Sequence, residues 1–159
     1  MNIKIATINE IPQIELLYEE LFLEMSKLQP KYIAPAKQDV EFLKNTISEE
    51  KSDIFVAEIN NSIAGFLLIQ ELSTPPYSCI VQHNYAYIID VIVGGQYQSK
   101  GIGSALLQEA KKWAEERKLD HLELSVLAEN IGAFALYERH GFKEASRTMR
   151  LEINSYTNK

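Results

Sequence analysis

Apolar residues in this chain recur at two periods, every second position or every third and fourth, and the switches between them mark alternating strands and helices. Ile3 and Ile5 alternate as a short strand. Ile11, Ile14, Tyr18, Leu21 and Met25 then share one helical face, closed by Gln29-Pro30. Asp39 is placed to cap a second, weaker helix that uses Val40, Leu43 and Ile47. The β-rich runs Ile54 to Ile59 and Ile63 to Ile69 flank Asn60-Asn61-Ser62, and because Asn tolerates positive φ this segment reads as an antiparallel hairpin.

A less regular stretch, Leu72 to Asn84, contains Pro75-Pro76 and leads to Tyr85–Val93, whose Ile88-Ile89 and Val91-Ile92-Val93 predict a central strand buried on both faces. Ile102 to Arg117 is helical by period, with Ile102, Leu106, Ala110 and Trp113 on one face; Leu122, Leu124 and Val126 then alternate as another strand. A connection of that length joins parallel strands by a right-handed crossover and sets the start of the helix near the C-terminal end of the first strand. A last helix runs from about Asn130 to His140 and stops at Gly141. Alternating Met149, Leu151 and Ile153 predict a final strand in a short closing hairpin. The fold class is α/β.

With 159 residues, 46% of them apolar and 24% charged, the chain has the composition of one folded domain over 1–159. Sixteen Lys and Arg against 22 Asp and Glu give a net charge of -6, so nucleic acid and anionic membranes are not the expected partners. The apolar run Ile63 to Ile69 is far below the ~20 residues of a spanning helix, and the N-terminus lacks the continuous apolar core of a secretion signal. A cytoplasmic protein is expected. Cys79 is the only cysteine, and His83, His121 and His140 lie on separate segments, which leaves no disulfide framework and no pattern of metal ligands.

The segment with most chemical content is Gln98-Ser99-Lys100-Gly101-Ile102-Gly103-Ser104, between the buried strand and the amphipathic helix. Two glycines let the backbone approach an anion, and the free N–H groups of a first helical turn point outward with the positive end of the macrodipole behind them. The same residues also suit a tight strand-to-helix turn with no ligand. The segment is neither a P-loop, which needs Gly-Lys-Ser/Thr, nor a dinucleotide fingerprint, because Leu106 occupies the place of the third glycine. Further on, Asn130 and Tyr137 are two helical turns apart on one stripe with Phe134 and Gly141. They read either as a site-facing pair or as a helix cap and a core tyrosine.

Together, Ile-Ile-Asp-Val-Ile-Val (88 to 93), Gln-x-x-Gly-x-Gly (98 to 103), a helix and strand, then Asn130 with Ala-Leu-Tyr-Glu-Arg-His-Gly-Phe (135 to 142) form a pattern that resembles the GNAT family of acetyl-CoA-dependent N-acetyltransferases. The resemblance is strongest from Tyr87 to Phe142. It implies a mixed, largely antiparallel sheet flanked by helices, whose two parallel central strands splay apart to admit acetyl-CoA. It also implies that backbone groups of Val91, Ile92 and Val93 pair with the pantetheine arm. Ser99, Lys100, Gly101, Ile102, Gly103 and Ser104, entered from Gln98, would wrap the pyrophosphate. Asn130 would hold the cofactor arm beside Phe134, and Tyr137 would face the thioester sulfur as the acid. Gln98-Ser99 stands where many relatives have Arg-Gly, and a proline common near Gly95 is absent. Homodimers are common in such proteins.

A thioester is already activated, so a neutral primary amine attacks it directly and Cys79 is not required. An alkyl amine with pKa ~10.4 must first lose a proton, and Asp90, a carboxylate in an otherwise apolar strand, is the candidate to take it or to attract the ammonium group. Tyr32, Tyr77, Tyr85 and Tyr87, with Asp90 and Glu71, offer aromatic and acidic surface to a cationic acceptor; His83 is a further candidate contact. The competing reading is a non-catalytic acyl-CoA-binding sensor that keeps the cradle without turnover.

Overall fold

A computed structural model describes residues 1–154. Its elements are β1 (Asn2–Ile5), α1 (Ile11–Leu28), α2 (Val40–Ser48), β2 (Ser52–Ile59), β3 (Ser62–Ser73), β4 (Asn84–Val93), α3 (Ile102–Glu116), β5 (Leu122–Leu124) and α4 (Ile131–Arg139). The sheet is mixed: β1 to β4 pair antiparallel in chain order, and β5 joins β4 in parallel.

Local chemistry sets the boundaries. Before α1, the Thr7 hydroxyl accepts from the Asn9 N–H at 3.3 Å while the Glu10 carboxylate accepts from the Thr7 N–H at 2.7 Å, and Pro12 sits where a helix does not need an N–H donor. Asp39 caps α2 by accepting from the Glu41 N–H at 2.9 Å. The β2–β3 connection is a two-residue turn in which Asn60 and Asn61 both have left-handed φ, 50° and 63°; Ser62 already pairs with Ile59.

Two cores sandwich the sheet. On one face Leu67, Ile69, Ala86 and Ile88 pack with Ile102, Leu106, Ala110 and Trp113 of α3 and with Tyr137 of α4. On the other, Val56, Phe66, Leu68 and Ile92 pack with Ile14 and Tyr18 of α1 and Leu43 of α2. Gly65 lies where β3 presses on β4: an added Cβ would stand 2.6 Å from the Ile92 carbonyl oxygen and 3.2 Å from the Val93 Cα. Because backbone must move to admit it, Gly65→Ala is expected to lose ~2–3 kcal/mol, a fall in Tm of roughly 5–10 °C by calorimetry.

The feature that matters for function is where β4 and β5 part. They pair at Ala86 with Leu122, Tyr87 with Glu123 and Ile88 with Leu124, and no further. On its other edge β4 pairs Ile88 with Ile69 and Asp90 with Leu68, so Ile89 is an extra, bulged residue. A bulge bends its strand and sharpens the local twist. Among the described residues β4 therefore runs on to Val93 with no strand paired on the β5 side, opening a wedge between the parallel strands. Val126, expected to continue the second strand, lies beyond the last paired residue for the same reason.

The expected final strand does not form. Residues 143 to 152 carry no helix or strand assignment, and Met149, Leu151 and Ile153 are 90%, 84% and 73% exposed. The polar residues between them determine where the segment lies: Glu152 accepts from Lys31 at 2.9 Å, and Arg150 donates to Gln29 at 3.0 Å. Alternation alone does not make a strand where no partner strand pairs with it.

Candidate active site

The wedge has one main-chain wall. The Gly94 N–H donates to the Ala64 carbonyl of β3 at 2.8 Å, and alternation along an antiparallel ladder then turns Ile92 toward β3 as well. Val91 and Val93 accordingly present their N–H and C=O groups to the gap. The Val93 carbonyl accepts a 3.4 Å bond from the Gln98 side chain. Ile92 is instead anchored in the core by a side chain only 8% exposed.

The glycine segment lies at the open end of the wedge, beyond the C-terminal end of β4 and before α3. Ser99 and Gly101 both take left-handed φ, 62° and 78°, on either side of Lys100, and α3 starts at Ile102. Alternating conformations of this kind aim successive N–H groups at one point and form an anion nest. The first bond of the helix is Ala105 N–H to Gly101 O at 3.1 Å, so the amides of Ile102, Gly103 and Ser104 precede the helical ladder. Two packing contacts fix the nest. A Cβ on Gly103 would meet the Leu136 side chain at 3.1 Å, so α4 lies close against the start of α3, and His140 hydrogen-bonds the Ser104 hydroxyl at 2.9 Å. The Lys100 ammonium lies 5.7 Å from the Tyr97 ring centre.

Two ionisable groups face the wedge from different elements. Asp90, beside the bulge, accepts a 2.7 Å hydrogen bond from the Tyr18 hydroxyl of α1. Burial pushes its carboxyl up to about 6, and the Tyr18 bond opposes that shift. Tyr18 is fully buried; burial and then the Asp90 charge hold its phenol well above the ordinary range, against a bond from Gln38. Tyr137 of α4 is 8% exposed and packs edge-on to Phe142 at 5.9 Å. Burial, with the charge of Asp90 second, pushes its phenol up to about 12, so it stays protonated. The structure thus brings Asp90 and Tyr137 within electrostatic reach of each other. Nothing in the residue pattern links Tyr18 to this pair: it reads as one more position on the apolar stripe of α1, and only its hydroxyl hints otherwise.

The remaining candidates divide by sheet face. Asn130 caps α4, its side-chain oxygen accepting from the Ala133 N–H at 3.2 Å, and Phe134 is 38% exposed one turn on. Tyr85 stacks on His121 at 5.0 Å and the Tyr87 hydroxyl meets the Ser125 hydroxyl at 3.0 Å. Ala86 and Ile88 belong to the α3 core, so Tyr85 and Tyr87 point to the opposite face, the one on which Asp90 meets α1. Glu71 instead pairs with Arg117 behind α3 at 3.6 Å. Tyr32 lies under Arg150, Tyr77 sits on the exposed β3–β4 loop, and His83 is bound to Asp120 at the start of β4, the end away from the wedge. Cys79 is exposed. Among the described residues no group of three His, Cys, Asp or Glu is placed to hold a metal, and no helix is long and apolar enough to cross a membrane.

The splayed parallel pair, the glycine segment and Tyr137 all lie in the part of the chain that matches a known family. Residues 14–142 match the profile of the acetyltransferase (GNAT) family. The chain belongs to that family. The chain is 30% identical over 147 residues to a Bacillus subtilis protein named uncharacterized N-acetyltransferase YhfO, with 91% of each chain covered. It is 29% identical over 144 residues to an N-acetyltransferase of Methanocaldococcus jannaschii, also named uncharacterized, covering 89% of this chain but only 62% of that longer protein. Among solved structures, protein BH1408 from Bacillus halodurans superposes with a TM-score of 0.90 at 22% identity, covering 96% of this chain and all of that one. An aminoglycoside N-acetyltransferase in complex with CoA superposes with a TM-score of 0.74 at 12% identity, covering 95% and 98%. At these identities the structural likeness concerns the fold.

Proposed function

We propose that this acetyltransferase moves the acetyl group of acetyl-CoA directly to a primary amine, with Asp90 handling the amine and Tyr137 the departing thiolate. The observation that carries the reading is that the Asp90 carboxyl, bonded to Tyr18 beside the bulge, and the buried Tyr137 phenol lie within reach of each other's charge, with burial raising both. At neutral pH one is a base and the other an acid, which is the division of labour acyl transfer to an amine requires. The first-turn amides of Ile102 to Ser104 and the left-handed turn at Gly101 fit a pyrophosphate, and the open edge at Val91 and Val93 fits an extended amide-bearing arm. Acetyl-CoA, when bound, supplies an activated thioester carbonyl.

From there each step belongs to a residue of this chain. Asp90 attracts the ammonium form of the acceptor and takes its proton, directly or through a water. A main-chain N–H at Val91 or Val93 faces the gap and donates to the negative charge that develops on the carbonyl oxygen, an effect worth ~3–4 kcal/mol in other acyl-transfer sites. Tyr137 donates its proton to the thiolate. Tyr85, Tyr87 and Glu123 extend the Asp90 face of the sheet as an aromatic and acidic floor, which supports a cationic acceptor such as a polyamine, an aminoglycoside or a basic peptide N-terminus. We place the enzyme in the cytoplasm, where acetyl-CoA is made and used.

The test is to incubate the protein with acetyl-CoA and a mixed amine library and identify acetylated products by mass spectrometry. Amine-dependent release of free CoA is expected. Saturable CoA binding without such release across the panel would favour the sensor instead. A second check concerns the nest: nothing lies within 4 Å of a Cβ at Gly101, so Gly101→Ala acts through its φ of 78° alone. It is expected to lose only ~1–2 kcal/mol of stability but to raise the Kd for CoA about tenfold by calorimetric titration.

A further inference from the structure

The loop that leads from β4 into the glycine segment is tied down residue by residue. The Gly94 N–H donates to the Ala64 carbonyl of β3, the Tyr97 N–H donates back to the Gly94 carbonyl at 2.8 Å, and the Gln98 side chain bonds the Val93 carbonyl. One tie comes from a different element. The Gly95 N–H donates to the carboxylate of Glu20, in α1, at 2.7 Å across 75 residues of chain. Among the described residues nothing else bonds that carboxylate; Lys37 pairs with its neighbour Glu19 instead, at 3.9 Å. The fit is close. A Cβ on Gly95 would stand 3.1 Å from the Glu20 carboxylate, and one on Gly94 would stand 3.3 Å from Leu17, one turn earlier on the same helix. Tyr18, between them in sequence, is the residue that donates to Asp90.

We propose that Glu20 is a positioning residue for the cofactor, holding the Gly95 N–H so that the segment from Gln98 to Ser104 is set in place before CoA arrives, a role that rests on the pyrophosphate reading of that segment. Two successive glycines have more conformational freedom than any other pair, and a loop that its ligand must order binds that ligand more weakly. The Glu20 bond orders the loop when the chain folds. Charge makes the role testable by sign. A carboxylate on the approach to a phosphate site repels an anionic ligand, so charge alone predicts that CoA binds more tightly once Glu20 is removed. Positioning predicts the reverse. The effect should also fall on binding and not on the chemical step, because Asp90 is held by Tyr18 and Tyr137 by burial in the α3 core, neither of them through Gly95.

Two variants separate the bond from the charge. Glu20→Ala removes both, whereas Glu20→Gln removes the charge and keeps a side-chain oxygen that can accept from Gly95. Alanine and glutamine are both good helix formers, so α1 should persist and Tm, followed by circular dichroism, should move by less than about 3 °C. In calorimetric titrations with CoA, which require no turnover, Glu20→Ala is expected to raise Kd about five- to tenfold and Glu20→Gln less than about twofold. Where turnover is followed, KM for acetyl-CoA should rise in the alanine variant by the same factor while kcat changes by less than about twofold. In isotope-labelled protein without ligand, the Gly95 amide should exchange with water roughly tenfold faster in Glu20→Ala than in the parent or in Glu20→Gln. An alanine variant that binds CoA as well as the parent or better, or equal losses in both variants, would overturn the proposal, as would a Gly95 amide that exchanges alike in all three proteins. A parent chain that binds no CoA would refute the pyrophosphate reading and the role of Glu20 with it.

Discussion

Tyr137→Phe is expected to lower kcat by about 10²-fold while changing the Kd for acetyl-CoA by less than about threefold. The phenol is held near 12 by burial and by the Asp90 charge, so it carries its proton at every working pH. A thiol leaving group of pKa near ~8.5 departs without great help, which puts the effect at the low end of the ~10²–10⁴ range for general acids. The ring itself is retained, so the packing against Phe142 at 5.9 Å should survive and Tm should move by no more than about 2 °C. Stopped-flow turnover and calorimetric binding on the same preparation separate the two effects. Equal losses in both would make Tyr137 a binding residue and remove it from the chemistry.

Asp90→Asn should produce a protein that is slower and more stable. In the folded chain burial raises the carboxyl from 3.8 to about 6, so the neutral form is favoured by folding. The stability this confers is fully present below about pH 3.8 and is lost as pH rises through about 6. Above that the buried charge persists as a penalty of up to ~3 kcal/mol. The substituted amide would be neutral throughout and could still accept the 2.7 Å bond that Tyr18 donates to Asp90. Denaturant titrations should therefore show the variant more stable than the parent at pH 8 and no more stable at pH 4. Its kcat/KM at pH 7.5 should fall about 10²-fold, and the acid limb expected of the parent near pH 6 should be absent. Tyr18→Phe removes the donor that favours the ionised carboxyl, so it should shift that limb upward by about one pH unit instead of abolishing it. Tyr137, the other titratable group facing Asp90, stays protonated throughout this range and contributes no limb of its own.

Much of this was legible in the chain because it depends on neighbours in sequence. The caps at Thr7 and Asp39, the Asn60-Asn61 turn and the glycine segment are local devices, and residues within four positions of one another decide them. The periodicities that placed α1, α3 and α4 worked for the same reason: the apolar stripe of a helix is a statement about spacing, whatever covers it. Asp90 was visible as a charge in an apolar strand. Its partner was not, since Tyr18 lies 72 residues away and a tyrosine on an apolar helical face looks the same whether or not its hydroxyl meets a carboxylate. The final strand failed on the opposite ground. Met149, Leu151 and Ile153 alternate as a strand should, but a strand is completed by a partner edge, and alternation does not supply one.

The sequence by itself determined the order and type of the principal elements and the glycine turn, because these follow from local conformational preference, and it offered Asp90 as a candidate through the rarity of a charge among apolar neighbours and Tyr137 through the resemblance. Only the tertiary structure decided that the Ile89 bulge would part β4 from β5, that Val91 and Val93 would face the gap, and that Asp90 and Tyr137 would be held with pKa values far apart. Those are consequences of strand pairing and burial, which depend on what the rest of the chain brings alongside.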